Sequence, residues 1–359
     1  EQPAGAAGEQ VRLAELVEFV IGVDTHTDTH TAAVVAAGTG ALTATITVAA
    51  DADGYAELVE FAEAQSGLRA WAIEGTGGYG AGLARHLGER QELVIELDRP
   101  TRPARRAGAK SDPIDAERAA RDALSRTRLA QPRTGPQRAA LAALLTARRG
   151  AVKAATDAQR QLRAQVITAP EPVRARFRGQ STTTMIATAA RLRPGSSAAD
   201  VHAFTVLTTL RALARRIRAL QDEADEHERA IRAIVRAWRP DLLAISGIGP
   251  IVAATVLAAW SHAGRCRDDA AFAMLAGTAP IPASSGKTVR YRLNRAGDRQ
   301  LNRALHTVAL SRLRYDPPTR AYAQRRRAQG KTDREIKRCL KRYITRQLYR
   351  QLENPPLTA

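Results

Sequence analysis

Four carboxylates stand where a mixed sheet would gather them. Asp24 closes the apolar run Ile21-Gly22-Val23-Asp24, and Glu74 closes Trp71-Ala72-Ile73-Glu74. Asp112 and Asp115 lie three apart in Lys110-Ser111-Asp112-Pro113-Ile114-Asp115. That spacing puts the last pair on one side of a helix's first turn. Ligands and chemistry collect at the strand ends of an α/β sheet. Four converging carboxylates must be protonated or neutralised, and a pair of Mg2+ ions would do so while holding the attacking and leaving oxygens of a phosphodiester exchange. Taken singly, each acid has an ordinary explanation. An Asp after a strand is usually a turn or cap residue, Asp112 reads as the N-cap of a helix over residues 113–124, and Glu74 before Gly75 suits a surface turn. His26, Asp28 and His30 alternate after Asp24 and read as one face of a strand rather than as a histidine-based metal site.

A second set of residues lies late in the chain. Gly247 and Gly249, in Ile245-Ser246-Gly247-Ile248-Gly249-Pro250, form a glycine turn opening an apolar helix. Such a turn lets backbone N–H groups approach a phosphate, or simply joins two helices. Ser284 and Ser285 follow in a Pro/Ser/Gly loop beside Lys287, Arg290, Arg292 and Arg295, with Arg299 just beyond. By composition alone these serines read as flexible loop punctuation before they read as chemistry. Arg105, Arg106 and Lys110, with Arg99 and Arg102, precede the second acid pair as a candidate nucleic-acid channel.

The elements that must carry these residues can be read from periodicity. Residues 19–23, 31–36 and 42–48 are β-branched runs separated by short turns, an antiparallel meander. Helical spacing then alternates with buried-type strands: a helix from residue 55, a strand at 70–73, a helix at 79–87, a strand at 93–97 and the helix at 113–124. That order predicts a mixed sheet flanked by helices. Residues 136–167 and 207–238 have long, charged helical patterns and read as an antiparallel, coiled-coil-like pair. Residues 169–199, with prolines, glycines and Ser181-Thr182-Thr183-Thr184, read as a less regular tip. After Pro240 a compact, mainly helical section is expected, with basic helices over 299–313 and 333–352.

Charge narrows the function. The 359 residues carry 55 Lys plus Arg against 36 Asp plus Glu, a formal net charge of +19, and 44% are hydrophobic. The hydrophobic fraction allows a sizeable core, while the charge calls for a polyanionic partner, nucleic acid first. Cys266 and Cys339 are far apart and outside any CxxC pattern, so neither a zinc site nor a disulfide framework is expected. No apolar run reaches the roughly 18 residues of a membrane span. A cytoplasmic, nucleoid-associated protein with no membrane partner is the expectation.

Asp24 in Gly-Val-Asp, Glu74 in Ile-Glu-Gly-Thr-Gly-Gly-Tyr, and Asp112 with Asp115 in Lys-Ser-Asp-Pro-Ile-Asp-Ala together resemble the DEDD tetrad of a large insertion-sequence transposase family that includes Piv-type invertases and bridge-RNA-guided serine recombinases. The likeness runs from about residue 20 to 350. It implies a RuvC-like, ribonuclease-H fold for the N-terminal domain and Mg2+ bound by Asp24, Glu74, Asp112 and Asp115. It also implies a C-terminal transposase domain in which Ser285, or failing that Ser284, is the nucleophile. A composite site in a homodimer or homotetramer and a bridge guide RNA are implied as well. The fold class expected is thus α/β plus α. The expected divisions are a tail (1–18), the catalytic domain (19–130), a helical coiled-coil insertion (131–240), the C-terminal domain (241–352) and a second tail (353–359). A metal-dependent, structure-selective endonuclease without serine chemistry is the competing reading, and a non-catalytic nucleic-acid-binding protein a further one.

Overall fold

The computed structural model describes residues 12–97, 111–195, 200–283 and 291–355. The chain divides into two compact units, residues 1–134 and 135–359.

The first unit opens with one helical turn, α1 (Leu13–Leu16), followed by β1 (Phe19–Thr25), β2 (Thr29–Ala36) and β3 (Leu42–Ala49). These strands pair antiparallel in sequence order, the meander expected from their runs. Then come α2 (Ala52–Glu63), β4 (Arg69–Glu74), α3 (Ala81–Glu89), β5 (Val94–Leu97) and α4 (Asp112–Ser125). β4 joins β1 in parallel and β5 joins β4 in parallel, giving the order β3-β2-β1-β4-β5. This mixed α/β sheet with its central β1 is consistent with a ribonuclease-H-like domain.

The first hairpin corrects one expectation. β1 stops at Thr25 and β2 starts at Thr29, so His26 and Asp28 lie in the turn, where the His26 N–H donates to the Thr29 carbonyl at 3.0 Å. His30 instead enters β2, fully buried, with its ring stacked on Tyr55 at 5.7 Å. The three residues therefore share no strand face, because the chain reverses between them.

The second unit is helical. α5 (Pro136–Thr168) leads to α6 (Glu171–Arg174), a 3-10 turn (Ala175–Phe177) and α7 (Thr182–Ala190), and α8 (Val201–Trp238) returns. α5 and α8 run antiparallel, with Arg148 Nη2 donating to Glu228 Oε2 at 2.8 Å between them. Residues 169–195 are more ordered than their composition predicts. The Ser181 hydroxyl caps α7 by accepting from the Thr184 N–H at 3.2 Å, and Val173, Phe177, Ile186 and Ala189 are buried against Leu162, Val166, Leu207 and Leu210. Burial on the distal ends of the long helices thus outweighs the local helix-breaking residues.

A 3-10 turn (Pro240–Ala244) leads to α9 (Pro250–Trp260) and α10 (Asp269–Leu275). The two-residue strands β6 (Ile281–Pro282) and β7 (Tyr291–Arg292) pair antiparallel. α11 (Arg299–Tyr315), α12 (Pro317–Ala328) and α13 (Asp333–Glu353) follow. α12 went unrecognised in the sequence because its run is rich in arginine and weakly apolar. It starts where Asp316 caps the Thr319 N–H at 3.0 Å, and it buries Ala323. α9 is apolar almost all round and sits in a core with Leu141 and Leu145 of α5, Ile231 and Val235 of α8, Phe272, Leu305 and Leu348. Arg239 joins the end of α8 to the end of α13. Its guanidinium donates to Asp241 Oδ1 and Oδ2 at 2.8 and 2.7 Å and to the Gln351 carbonyl at 2.7 Å. Cys266 is buried and Cys339 half-buried, and both are free thiols. No helix among the described residues is long and apolar enough to cross a membrane.

Helices cover both faces of the sheet. Ile21, Val23, Trp71 and Ile73 pack with Leu58, Val59, Leu83 and Leu87 of α2 and α3. Val20, Ala70, Ala72 and Ile95 pack with Ala120 and Ala123 of α4. Since side chains alternate along a strand, Gly22 and Asp24 belong to the α4 face, as do Ala72 and Glu74. Gly22 is why α4 can lie where it does. A Cβ there would sit 2.0 Å from the Ala116 carbonyl oxygen and 2.5 Å from the Ala120 nitrogen. Ala116 and Ala120, themselves fully buried, keep the opposing surface flat. Gly22→Ala is therefore expected to push α4 off β1 and destabilise the unit by about 1–3 kcal/mol. A thermal unfolding scan checks this, and an unchanged melting temperature would contradict the close approach.

Candidate functional site

Asp24 is the next-to-last residue of β1, and Glu74 the last of β4. The parallel pairing runs to Val23 beside Ile73, so Asp24 and Glu74 occupy matching positions one residue further on. The Thr25 hydroxyl ties the two strand ends together by donating to the Glu74 carbonyl at 3.1 Å. Beyond Glu74 the chain turns through Gly75, at φ +75°, which a side chain would strain. Gly80 then returns so close that a Cβ would lie 2.9 Å from Ile73 Cγ2.

Asp112 and Asp115 enter from α4. Asp112 is the first residue of that helix rather than its N-cap, the position held by Ser111, which makes no side-chain capping bond. The reason is local geometry: Ser111 has extended backbone while Asp112 and Pro113 are already helical. The Asp112 carboxylate is thereby released from capping and turns to the first hairpin. His26 Nε2 lies 3.2 Å from Asp24 Oδ2 and 3.5 Å from Asp112 Oδ1. Asp115 accepts from Arg118 Nη1 at 2.9 Å.

The electrostatics mark a site gathering negative charge. Burial pushes the Asp24 carboxyl above its ordinary value; His26 pulls it back through charge and a hydrogen bond, while Asp112 and Asp115 push it further up. The Asp24 side chain is 18% exposed, so solvent screens this repulsion only in part. One donor atom each from Asp24, His26 and Asp112 lie within 4.8 Å of one another, a set able to hold a metal ion. The donor chemistry fits a divalent cation, since carboxylate oxygens suit hard ions and added positive charge would relieve the repulsion on Asp24.

His26 was set aside in the sequence as part of a strand face. The signal that finds it is the polar stretch Thr25-His26-Thr27-Asp28 after an apolar strand, which marks a turn. Glu96 was missed as well. It is buried within the apolar strand Val94-Ile95-Glu96-Leu97, accepts from the Thr76 hydroxyl at 2.8 Å and from Arg133 Nη2 at 3.3 Å, and so fixes the glycine loop that follows Glu74. A carboxylate inside an apolar strand was the available clue.

Of the basic residues expected in a channel, Arg105, Arg106 and Lys110 lie outside the described residues, as do Ser284, Ser285, Lys287 and Arg290. Arg292 on β7, Arg295 and Arg299 at the start of α11 are exposed. Gly247 adopts φ +80° and packs against α11, where a Cβ would approach Val308 Cγ1 at 3.3 Å. Arg312 Nε donates to the Ser246 carbonyl at 2.8 Å, holding this turn, and Gly249 is the uncapped N-cap of α9. On α12 and α13, Arg327 pairs with Asp333, Arg342 with Asp269, and Lys341 Nζ donates to Asn302 Oδ1 at 2.9 Å.

The raised Asp24 carboxyl sets the sign of a pH effect. The native state holds this proton more tightly than the unfolded chain, so the ionised group costs stability at neutral pH, and the cost fades as pH falls from the raised native value to the ordinary carboxylate value, below which it is gone. In EDTA at neutral pH, Asp24→Asn is expected to melt higher than the parent, with the advantage shrinking on acidification. A lower melting temperature for the variant would show that the ionised Asp24 carboxylate does not cost stability there.

Comparison with known proteins adds to this geometry. Residues 21–169 match a family profile described as a transposase of the DEDD, IS110 type. Residues 240–324 match the "Transposase IS116/IS110/IS902 family" profile. An insertion element IS110 uncharacterized 43.6 kDa protein from Streptomyces coelicolor is 32% identical over 142 residues, covering 39% of this chain and 33% of the relative. An insertion element IS900 uncharacterized 42 kDa protein from Mycobacterium paratuberculosis is 35% identical over 133 residues, covering 34% of this chain and 32% of the relative. The alignments thus span about a third of the length of these curated relatives. With the acidic domain and the C-terminal domain matched in order along one polypeptide, the chain belongs to the DEDD-type insertion-sequence transposases of the IS110 family.

Proposed function

We propose that this protein cuts and rejoins DNA strands, with a RuvC-like acidic centre of Asp24, Glu74, Asp112 and Asp115 and a serine nucleophile at Ser285. The observation that carries the reading is the meeting of Asp24 and Asp112 around His26, with Asp115 close enough to act on Asp24. Those four acids would hold the divalent ions, Mg2+ in a pair being the form that suits an all-carboxylate set. Bound there, the ions supply positive charge to the non-bridging, attacking and leaving oxygens of an in-line displacement at phosphorus.

The chain's own residues do the rest. Asp24 and Glu74 sit on strands rather than loops, so their carboxylates are held by a paired sheet. Asp112 and Asp115 are carried by the packing of α4. In strand exchange the Ser285 hydroxyl oxygen attacks phosphorus, a serine–phosphate bond forms, the bond to the 3′ oxygen breaks, the serine proton passes to a base, and a proton returns to the 3′ oxygen, which leaves as a free hydroxyl on the DNA strand. The phosphoserine link conserves the bond energy for rejoining. Ser284 is the alternative nucleophile. Arg292, Arg295 and Arg299, exposed on the same unit, with Lys287 and Arg290, would stabilise the charge that develops at phosphorus. Arg105, Arg106 and Lys110 would follow the nucleic-acid backbone, and the turn at Gly247 and Gly249 would present backbone N–H groups to a phosphate. A homodimer or homotetramer, joined through the α5–α8 hairpin, would bring a serine to an acidic centre. A bridge RNA is the guide implied by the family likeness, and the net charge of +19 suits binding both nucleic acids.

The deciding experiment compares Asp24→Ala with Ser285→Ala on a supercoiled DNA substrate. Asp24→Ala is expected to abolish all cleavage. Ser285→Ala is expected to abolish both strand exchange and the covalent protein–DNA product. Cutting that survives Ser285→Ala, in full and with 5′-phosphate and 3′-hydroxyl ends, would instead favour a hydrolytic nuclease. DNA affinity should also fall steeply with salt, by about three to five orders of magnitude between about 50 and 200 mM if six to ten phosphates are contacted. A filter-binding titration measures that slope, and a flat one would remove the electrostatic part of the reading.

A further inference from the structure

We infer that His26 is itself a ligand of the divalent ion, giving the centre a mixed nitrogen and oxygen donor set that tilts it from Mg2+ toward first-row transition ions. The inference rests on the metal-centre reading above and adds a donor that four carboxylates alone do not provide.

The distances support it first. Two donors bound at right angles to one ion, with bonds of about 2.1 Å, lie about 3 Å apart. His26 Nε2 is 3.2 Å from Asp24 Oδ2 and 3.5 Å from Asp112 Oδ1, so movements of a few tenths of an ångström bring all three onto a common ion. Asp24 and Asp112 come from different elements, one a strand and the other a helix, and the same ring atom faces both. One N–H donates well to one acceptor and leaves the second carboxylate unserved. A cation among the three donors satisfies all of them, with the Nε2 lone pair turned inward.

Backbone placement supports it as well. The His26 N–H bond to the Thr29 carbonyl at 3.0 Å fixes the hairpin tip directly after Asp24 and Thr25. The imidazole, 52% exposed, is free to adjust from that fixed backbone. His30, the other histidine of the hairpin, is buried against Tyr55 with Nδ1 on the Thr29 carbonyl at 2.9 Å, so the two rings have different tasks. Mg2+ takes oxygen donors in a tight octahedron, whereas imidazole strengthens the hold on transition ions.

The test uses the full chain and Mn2+ as the probe. Pulsed EPR of the Mn2+-loaded protein is expected to show a 14N coupling from a directly bound imidazole. His26→Ala should lose that coupling and bind Mn2+ at least roughly tenfold more weakly, since even an outer partner of a metal costs about ten- to hundredfold when removed. Competition should show Mg2+ affinity changing far less. A circular dichroism melt matching the parent verifies that the variant folds, as its exposure leads one to expect. Mn2+ binding that is lost in Asp24→Asn but shows no 14N coupling, or a coupling that persists in His26→Ala, would overturn the role of His26 and leave the carboxylate centre standing. Mn2+ binding unaffected by Asp24→Asn, or no binding at all, would overturn both.

Discussion

The close packing of α4 on β1 is the constraint on which the first unit depends. It brings Asp112 and Asp115 near Asp24, whose carboxyl is raised first by burial, pulled back by His26, and pushed up again by the two acids. A half-buried carboxylate persists only where the surrounding packing outweighs its desolvation. Here the opposing force is apolar. α4 lies on the sheet through Ala116, Ala120 and Ala123, all fully buried, and Gly22 removes the one Cβ that would hold it away. The closeness of helix and strand sets the closeness of the acids, since Asp112 and Asp115 begin the helix whose next turn rests on Gly22.

The same economy governs the sheet end. Thr25 and Glu74 join the ends of β1 and β4 by a hydrogen bond, and Thr76, Glu96 and Arg133 hold the glycine loop beyond. These polar contacts satisfy groups that would be costly to bury unpaired. They also restrict where the strand ends carrying Asp24 and Glu74 can go. The hairpin tip contributes in the same way, because reversal of the chain at residues 26–28 puts an imidazole between two carboxylates.

The second unit follows a different logic. Its two long helices share one core with α9, α11 and α13 and a separate core with α6 and α7 at the far end. Arg239, with Asp241 and the carbonyls at the end of α13, closes the first of these. Arg327 and Arg342 have acidic partners within the unit, whereas Arg292, Arg295 and Arg299 are exposed. The matched family profiles fall on both units.

Much was legible without coordinates because it rests on local or periodic signals. Alternating β-branched runs specified the meander, and 3.6-residue periodicity specified the long helices. The Asp-x-x-Asp spacing placed two acids on one helical turn, and the ordered acids carried the family likeness. Tertiary structure decided what spacing cannot encode. Asp112 reads as a cap until the helix is seen to begin with it, and the polar tip at 169–195 reads as irregular until Phe177 and Ile186 are seen buried. His26 reads as strand until the turn is placed. Propensity and periodicity depend on neighbours in the chain, whereas a shared cation site depends on distances between segments some ninety residues apart, and only the docking of α4 on Gly22 sets those.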